Sequence, residues 1–227
     1  MTTTLITGAT RGLGRETARR LVGLGHVVYL GARDAAAGQT AADDLGARVL
    51  QIDVTDDTSV RAAADRLATE AGALDVLINN AGIPGEQRPP AEATLDDMKT
   101  VFDTNVYGPV RVLKAFTPLL EASAAPVVVD VSSAVGSLTR NSDPAAPWNS
   151  LAYPASKAAL NMLTIQYAKA YPRWRVNAVT PGLTATEFTR GRGWSVEDGA
   201  RIIVRMATIG ADGPTGTFVD DTGTIPW

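Results

Sequence analysis

Tyr153 and Lys157, in Tyr153-Pro154-Ala155-Ser156-Lys157, stand four residues apart. On a helix that spacing puts both on one face, one turn apart. An ammonium near a phenol favours the phenolate and moves a group of pKa ~10 toward neutrality. Such a Tyr can give a proton to a carbonyl oxygen or take one from an alcohol. Taken alone, the pair also describes an exposed stretch of helix. Ser132-Ser133-Ala134-Val135-Gly136 follows an apolar run, where a hydroxyl is suited to polarise a carbonyl or simply to close a turn. The chain has one His, His26, and no Cys. A histidine-based triad, a zinc site and thiol or iron–sulfur chemistry are therefore disfavoured. Asn105, in Asp103-Thr104-Asn105-Val106-Tyr107-Gly108, falls inside a helical window that Asn suits poorly. It is expected to bond something specific, such as a water chain reaching Lys157.

A second group of residues suits a phosphate. Thr7-Gly8-Ala9-Thr10-Arg11-Gly12-Leu13-Gly14 lies between a strand and a helix. Its glycines permit a tight turn and close backbone approach, and the helix start offers free N–H groups. The spacing is Gly-x3-Gly-x-Gly rather than Gly-x-Gly-x-x-Gly, and no Lys-Ser/Thr follows, so it is not a P-loop. An ordinary glycine-rich turn is the alternative. A dinucleotide site usually carries an acid at the end of the second strand for the ribose 2′-OH. Here Gly31-Ala32-Arg33 stands there, with Asp34 one step later. Arg33 and Arg11 suit a clamp on a 2′-phosphate, which points to NADP(H) rather than NAD; otherwise they are two solvated arginines. Asp53 is placed to accept from an adenine amino group or to cap the turn into Asp56-Asp57. Asn79-Asn80-Ala81-Gly82 ends the fourth strand, with Asn side chains bracing neighbours. Pro181-Gly182-Leu183-Thr184-Ala185-Thr186 offers backbone groups and hydroxyls to a nicotinamide carboxamide. An oxidised nicotinamide would add positive charge near Tyr153, and Lys157 can hold a ribose hydroxyl.

The elements that must position these residues alternate. Strands are predicted over Thr3–Thr7, Val27–Leu30, Val49–Ile52, Val76–Ile78, Val127–Val131, Val176–Val179 and Thr217–Val219. Runs such as Val127-Val128-Val129 suit burial on both faces of a parallel sheet. Helices are predicted over Gly12–Leu24, Asp34–Leu45, Thr58–Ala71, Leu95–Leu120, Tyr153–Ala170 and Val196–Ala207. The expected caps are Asp56 or Asp57, Thr94 and Ser195. The pattern predicts an α/β fold: a Rossmann-like doubly wound parallel sheet of about seven strands with helices on both faces. Loops at Ile83–Pro90, Ser137–Ser150 and Thr189–Trp194 are expected at the carboxyl side, where such sheets bind ligands.

The composition agrees. A chain of 227 residues, 45% hydrophobic and 20% charged, suits one domain over 1–227 and leaves no room for a full second substrate domain. With 21 Lys+Arg against 24 Asp+Glu and a net charge of −3, no nucleic-acid partner is expected. No apolar run approaches the ~18 residues of a membrane helix, and strand-like sequence begins almost at the first residue, so no membrane and a cytoplasmic location are expected.

In this order, Thr-Gly-x3-Gly-x-Gly, Asn-Asn-Ala-Gly, the helix Asn, Ser-Ser-x-x-Gly, Tyr-x3-Lys and Pro-Gly resemble the short-chain dehydrogenase/reductase superfamily, in its single-domain oxidoreductase branch. The resemblance covers nearly the whole chain. It implies a catalytic tetrad of Asn105, Ser133, Tyr153 and Lys157; Ser133 is taken over Ser132 because the family's serine precedes x-x-Gly, here Gly136. It implies cofactor contacts from Gly8, Thr10, Arg11, Gly12, Leu13 and Gly14, from Arg33, Asp53 and Val54, and from Asn80, Ala81 and Gly82. Tyr153, Lys157, Pro181, Gly182, Thr184 and Thr186 complete that set.

Within the superfamily the chain looks most like the carbonyl reductases. Gly31-Ala32-Arg33-Asp34 resembles their NADP-binding turn. Gly216-Thr217-Phe218-Val219-Asp220-Asp221 and Trp227 resemble their last strand and closing tryptophan. The implied activity is reversible, metal-free, NADPH-dependent reduction of a small-molecule ketone or aldehyde, by a monomer or homo-oligomer. A non-catalytic NADP-binding redox sensor would keep the glycine loop without needing the tetrad. A nucleotide-sugar epimerase is disfavoured by the short stretch after Pro181. There are departures from the family pattern. The Ser133-to-Tyr153 interval is long and should loop out around Asn141–Ser150. Asp130 stands where the family often has Asn. The short segment between Thr186 and Ser195 predicts a reduced lid and an open pocket. Trp148, Phe188 and Trp194 either line that pocket or are ordinary surface packing.

Overall fold

The computed structural model describes residues 1–146 and 149–227. One sheet carries eight strands in the order β3-β2-β1-β4-β5-β6-β7-β8. They are β1 (Thr3–Ile6), β2 (Val27–Ala32), β3 (Arg48–Gln51), β4 (Val76–Asn79), β5 (Val127–Val131), β6 (Arg175–Val179), β7 (Phe218–Asp220) and β8 (Gly223–Thr224). All neighbours are parallel except β7 and β8. The order reverses between β1 and β4, so their carboxyl ends form the crevice where such sheets take ligands. The two-residue β8 adds an eighth strand to the predicted seven; it is too short for any alternation to register.

Successive strand residues feed opposite layers. Leu5, Tyr29, Val128 and Val176 pack on one face with Val60, Leu67, Val112 and Phe116. Ile6, Leu30, Ile78 and Val129 pack on the other with Leu21, Ile202 and Met206. Each such side chain contributes about 1.5–3 kcal/mol when fully buried. The helices are α1 (Gly12–Gly23), α2 (Ala35–Leu45), α3 (Asp57–Ala71), α4 (Leu95–Phe102), α5 (Gly108–Glu121), α6 (Leu138–Asn141), α7 (Ala152–Ala170) and α8 (Val196–Ala207). Asp56 caps α3, Thr94 caps α4 and Ser195 caps α8, each accepting from a first-turn N–H.

The single helix predicted over Leu95–Leu120 is two. A π-helical turn, Asp103–Tyr107, separates α4 from α5. Its cause is visible in the sequence: Pro109, in the first turn of α5, has no N–H to continue a regular ladder. The loop predicted over Ser137–Ser150 contains a short helix, α6. Thr139 donates from N and Oγ1 to the Trp227 carbonyl at 3.0 and 2.7 Å, and Ser137 Oγ donates to the Pro226 carbonyl at 2.6 Å.

Candidate active site

The tetrad positions converge from three elements. Tyr153 and Lys157 lie on the first turns of α7, with Lys157 Nζ 5.7 Å from the centre of the Tyr153 ring. Ser133 follows β5, and its hydroxyl lies near enough to the Tyr153 phenol to draw its pKa down. Ser132 is buried and donates to Asn161 Oδ1 at 2.6 Å, so of the two serines Ser133 is the one turned to the phenol. Asn105 sits in the π-helical turn. Its Oδ1 accepts from Ile83 N at 2.8 Å, and its Nδ2 donates to Ile83 O at 2.9 Å and to Ser156 Oγ at 3.0 Å. Wide helical turns recur at functional sites because they re-aim a side chain. A Cβ placed on Gly82 would lie 3.3 Å from Asn105 Oδ1 and 3.7 Å from Lys157 Nζ. Both groups thus border one small space at the carboxyl end of β4.

The charges of this pair differ from the expectation of a phenol already drawn toward neutrality. The Tyr153 phenol is pushed up to about 12, chiefly by burial, with the Ser133 hydroxyl opposing. Lys157 is buried and pulled down to about 8 by the same loss of water, with Asp130 opposing. Its ammonium donates to the Val131 carbonyl at 2.8 Å instead of the phenol. Desolvation sets the direction of both shifts.

The glycine loop fits a diphosphate. Gly8 (φ 62°) and Gly12 (φ 55°) hold left-handed conformations. A Cβ on Gly8 would lie 2.9 Å from Ala81 Cα, and one on Gly14 would lie 2.6 Å from Asn80 Nδ2. Arg11 precedes α1 without a side-chain cap, which leaves the first-turn N–H groups open to an anion. Asn80 braces the loop rather than a strand, donating to Thr7 O at 2.9 Å and Gly8 O at 3.0 Å. Thr7 Oγ1 accepts from the N–H groups of Asn80 and Ala81, both at 3.0 Å. Asn79 reaches β5, donating to Asp130 at 2.8 Å.

The adenosine end is split. Asp34 is consumed as the cap of α2, accepting from Ala36 N at 2.9 Å and Ala37 N at 3.1 Å. Arg33 lines a cavity of about 450 Å3 with Gln51, Asp53, Ser59 and Arg66. Burial alone would raise the Asp53 pKa, but two hydrogen bonds from Thr55, with Arg33 and Arg111 beyond, hold it below the usual value. Val54 is buried against Gly108. Arg11 does not turn toward Arg33's cavity; its guanidinium pairs with Glu187 on the exposed surface. Sequence reasoning passed over Glu187, whose acid type next to Thr186 was the available signal.

Past β6, Thr184 is buried and donates to Pro181 O at 3.2 Å. Gly182 takes φ 70°, and a Cβ there would lie 3.5 Å from the Trp194 ring. A Cβ on Gly12 would lie 3.3 Å from Thr186 Cγ2, so this segment approaches the glycine loop. Phe188 meets the Tyr153 ring edge-on, with centroids 5.4 Å apart. Of the three aromatics, Phe188 therefore stands beside the phenol, Trp194 lies over Gly182, and Trp148 falls outside the described residues.

Residues 2–194 match the family model for short chain dehydrogenase, and the chain belongs to that family of oxidoreductases. A curated relative, a short-chain dehydrogenase/reductase of Stachybotrys chlorohalonatus, is 34% identical over 96% of this chain and 88% of its own. The structure of salutaridine reductase from Papaver somniferum superposes with a TM-score of 0.87 at 28% identity, covering 97% of this chain and all of that one. An NADPH-bound carbonyl reductase from chicken fatty liver superposes with a TM-score of 0.88 at 26% identity, covering 99% and 98%. Among the described residues no helix is long and apolar enough to cross a membrane.

Proposed function

We propose that this protein is an NADPH-dependent carbonyl reductase, with Tyr153 giving the proton to the substrate oxygen. The observation that carries the reading is the convergence of Tyr153, Ser133, Lys157 and Asn105 on one space at the end of the sheet. When bound, the reduced nicotinamide supplies the hydride that reaches the carbonyl carbon. Ser133 steadies the oxygen and keeps the phenol aimed at it. Lys157 holds the ribose and supplies positive charge near the ring. Asn105 fixes the Ile83 backbone and Ser156, and stands where a proton relay toward Lys157 begins. The open first turn of α1 and the Gly8–Gly14 cradle hold the diphosphate; Pro181, Gly182, Thr184 and Thr186 hold the carboxamide end. Support for the phosphorylated cofactor is twofold: Arg33 stands at the end of β2, and Asp34 is spent on its helix. The relatives' names agree, among them salutaridine reductase and (+)-neomenthol dehydrogenase.

The test is oxidation of NADPH, and of NADH for comparison, against a panel of ketones and aldehydes. Wild type turns over with NADPH preferred. Tyr153→Phe loses roughly 10²–10⁴-fold in kcat while still binding NADPH. Near-full ketone reduction by Tyr153→Phe would overturn the assignment of the acid.

A further inference from the structure

Phe188, whose ring meets that of Tyr153, is also one wall of a cavity of about 340 Å3. Residues 84–88 form one side of this cavity, and Arg190 and Arg192 form the other. Both sides are anchored in the site. The 84–88 segment continues from Ile83, which Asn105 grips at both its N–H and its carbonyl. The arginines follow the turn that begins at Thr186.

Three arginines, Arg88, Arg190 and Arg192, line this space with Glu86. Arg88 is committed to Glu86. Arg192 donates through Nε to the Thr189 carbonyl at 3.2 Å, which leaves its two amino groups for another partner. Neither Arg190 nor Arg192 has a carboxylate within 4.0 Å among the described residues. The other nearby acids are engaged: Glu187 with Arg11, and Asp97 with the Glu86 N–H at 3.0 Å. Arg190 also sits at φ 56°, alone among the described non-glycine residues in the left-handed region. The turn that imposes this is closed by the Gly191 N–H on the Thr186 carbonyl at 2.8 Å. Non-glycine residues persist in that conformation where the surroundings over-determine them, often at ligand clamps.

We infer that this cavity is an anion subsite, and that the substrate is a carbonyl compound carrying a carboxylate beyond the part that rests on Phe188. The inference rests on the carbonyl-reductase reading for the reacting end. Planar guanidinium groups recognise a carboxylate through paired N–H donors, and Phe188 offers an apolar surface for the part between.

The pair 4-acetylbenzoate and methyl 4-acetylbenzoate differs only in that charge. Wild type is expected to favour the acid in kcat/KM by roughly tenfold or more, with the preference shrinking as salt rises. Arg190→Gly, which relieves the backbone conformation, combined with Arg192→Ala collapses the acid-to-ester ratio. Arg192→Lys in place of Ala keeps part of it. Binding of 4-acetylbenzoate to the NADP-loaded protein, read by titration calorimetry, weakens in parallel. Equal treatment of acid and ester by wild type overturns the inference. So does a rise in the KM for NADPH with the ratio intact, which would mean that the arginines hold cofactor phosphates. Acid-selective binding with neither compound reduced upholds the subsite and overturns the reductase reading.

Discussion

Asp130 is buried in the middle of the sheet with no cation in contact among the described residues. Asn79 Nδ2 donates to it at 2.8 Å and Thr164 Oγ1 at 2.7 Å. Burial raises its pKa above the usual 3.8, against the pull of those hydrogen bonds and of Lys157 farther off. The unfolded chain therefore loses this proton at lower pH than the folded one. Stability falls as pH climbs from about 3.8 through the raised value, and the loss is complete above it. An amide at this position keeps an acceptor and brings a donor near Asn79 Oδ1, which has no partner. Asp130→Asn should raise Tm at pH 7, with the gain fading toward pH 4; an equal Tm for both proteins at pH 7 would refute this. The Tyr153–Lys157 pair was legible in the sequence because helical spacing is local. The use Lys157 makes of its charge was not, since its partner, the Val131 carbonyl, comes from a neighbouring strand. Arg11 likewise meets Glu187, 176 positions away, and no local pattern announces that.

Helix α7 holds its place by pressing on the turn after β5. A Cβ on Gly136 would lie 2.7 Å from the Lys157 carbonyl carbon and 2.8 Å from its Cβ. Backbone cannot yield there without moving the helix that carries both Tyr153 and Lys157. Gly136→Val should cost about 1–3 kcal/mol of stability and most of the proposed reductase activity. Denaturant unfolding and NADPH turnover measure the two losses, and a variant with wild-type values for both would show that α7 is not seated this way. Strand and helix positions were readable to within a residue or two, because burial on two faces leaves continuous apolar runs. Where the reading failed, two opposing signals were present. The apolar periodicity of Leu95–Leu120 spoke for one rod, and Gly108-Pro109 inside it spoke for a break. Backbone hydrogen bonding decided for the break, and Asn105 occupies it.

One pH-sensitive brace lies away from the chemistry. The candidate site lies at the carboxyl ends of the strands, whereas His26 immediately precedes β2, at its amino end, with Nδ1 2.8 Å from Thr4 Oγ1. Burial lowers the His26 pKa below 6.5, with Asp75 partly offsetting it. The unfolded chain therefore binds this proton more readily. Stability rises with pH through the window below 6.5 and is constant in this respect above it. His26→Gln should flatten the urea-unfolding free energy between pH 5 and pH 7 while leaving kcat/KM at pH 7 unchanged; an undiminished slope would assign it to other groups. The extra residues around Asn141–Ser150 were expected to loop out; the tie of Ser137 and Thr139, just before them, to Pro226 and Trp227 joins distant parts of the chain and had no local signature.

The π-helical turn between α4 and α5 also sets a phase. Ahead of it, α4 rests on α7; behind it, α5 rests on α3. One continuous coil could not present its apolar stripe to both neighbours. Removing a single residue from Asp103–Tyr107 would mend the ladder yet twist the leading half by about 100°. Leu95–Phe102 would then turn its wrong side to the helix that bears the phenol, so the apparent defect in the rod is what keeps its two ends in step with different partners.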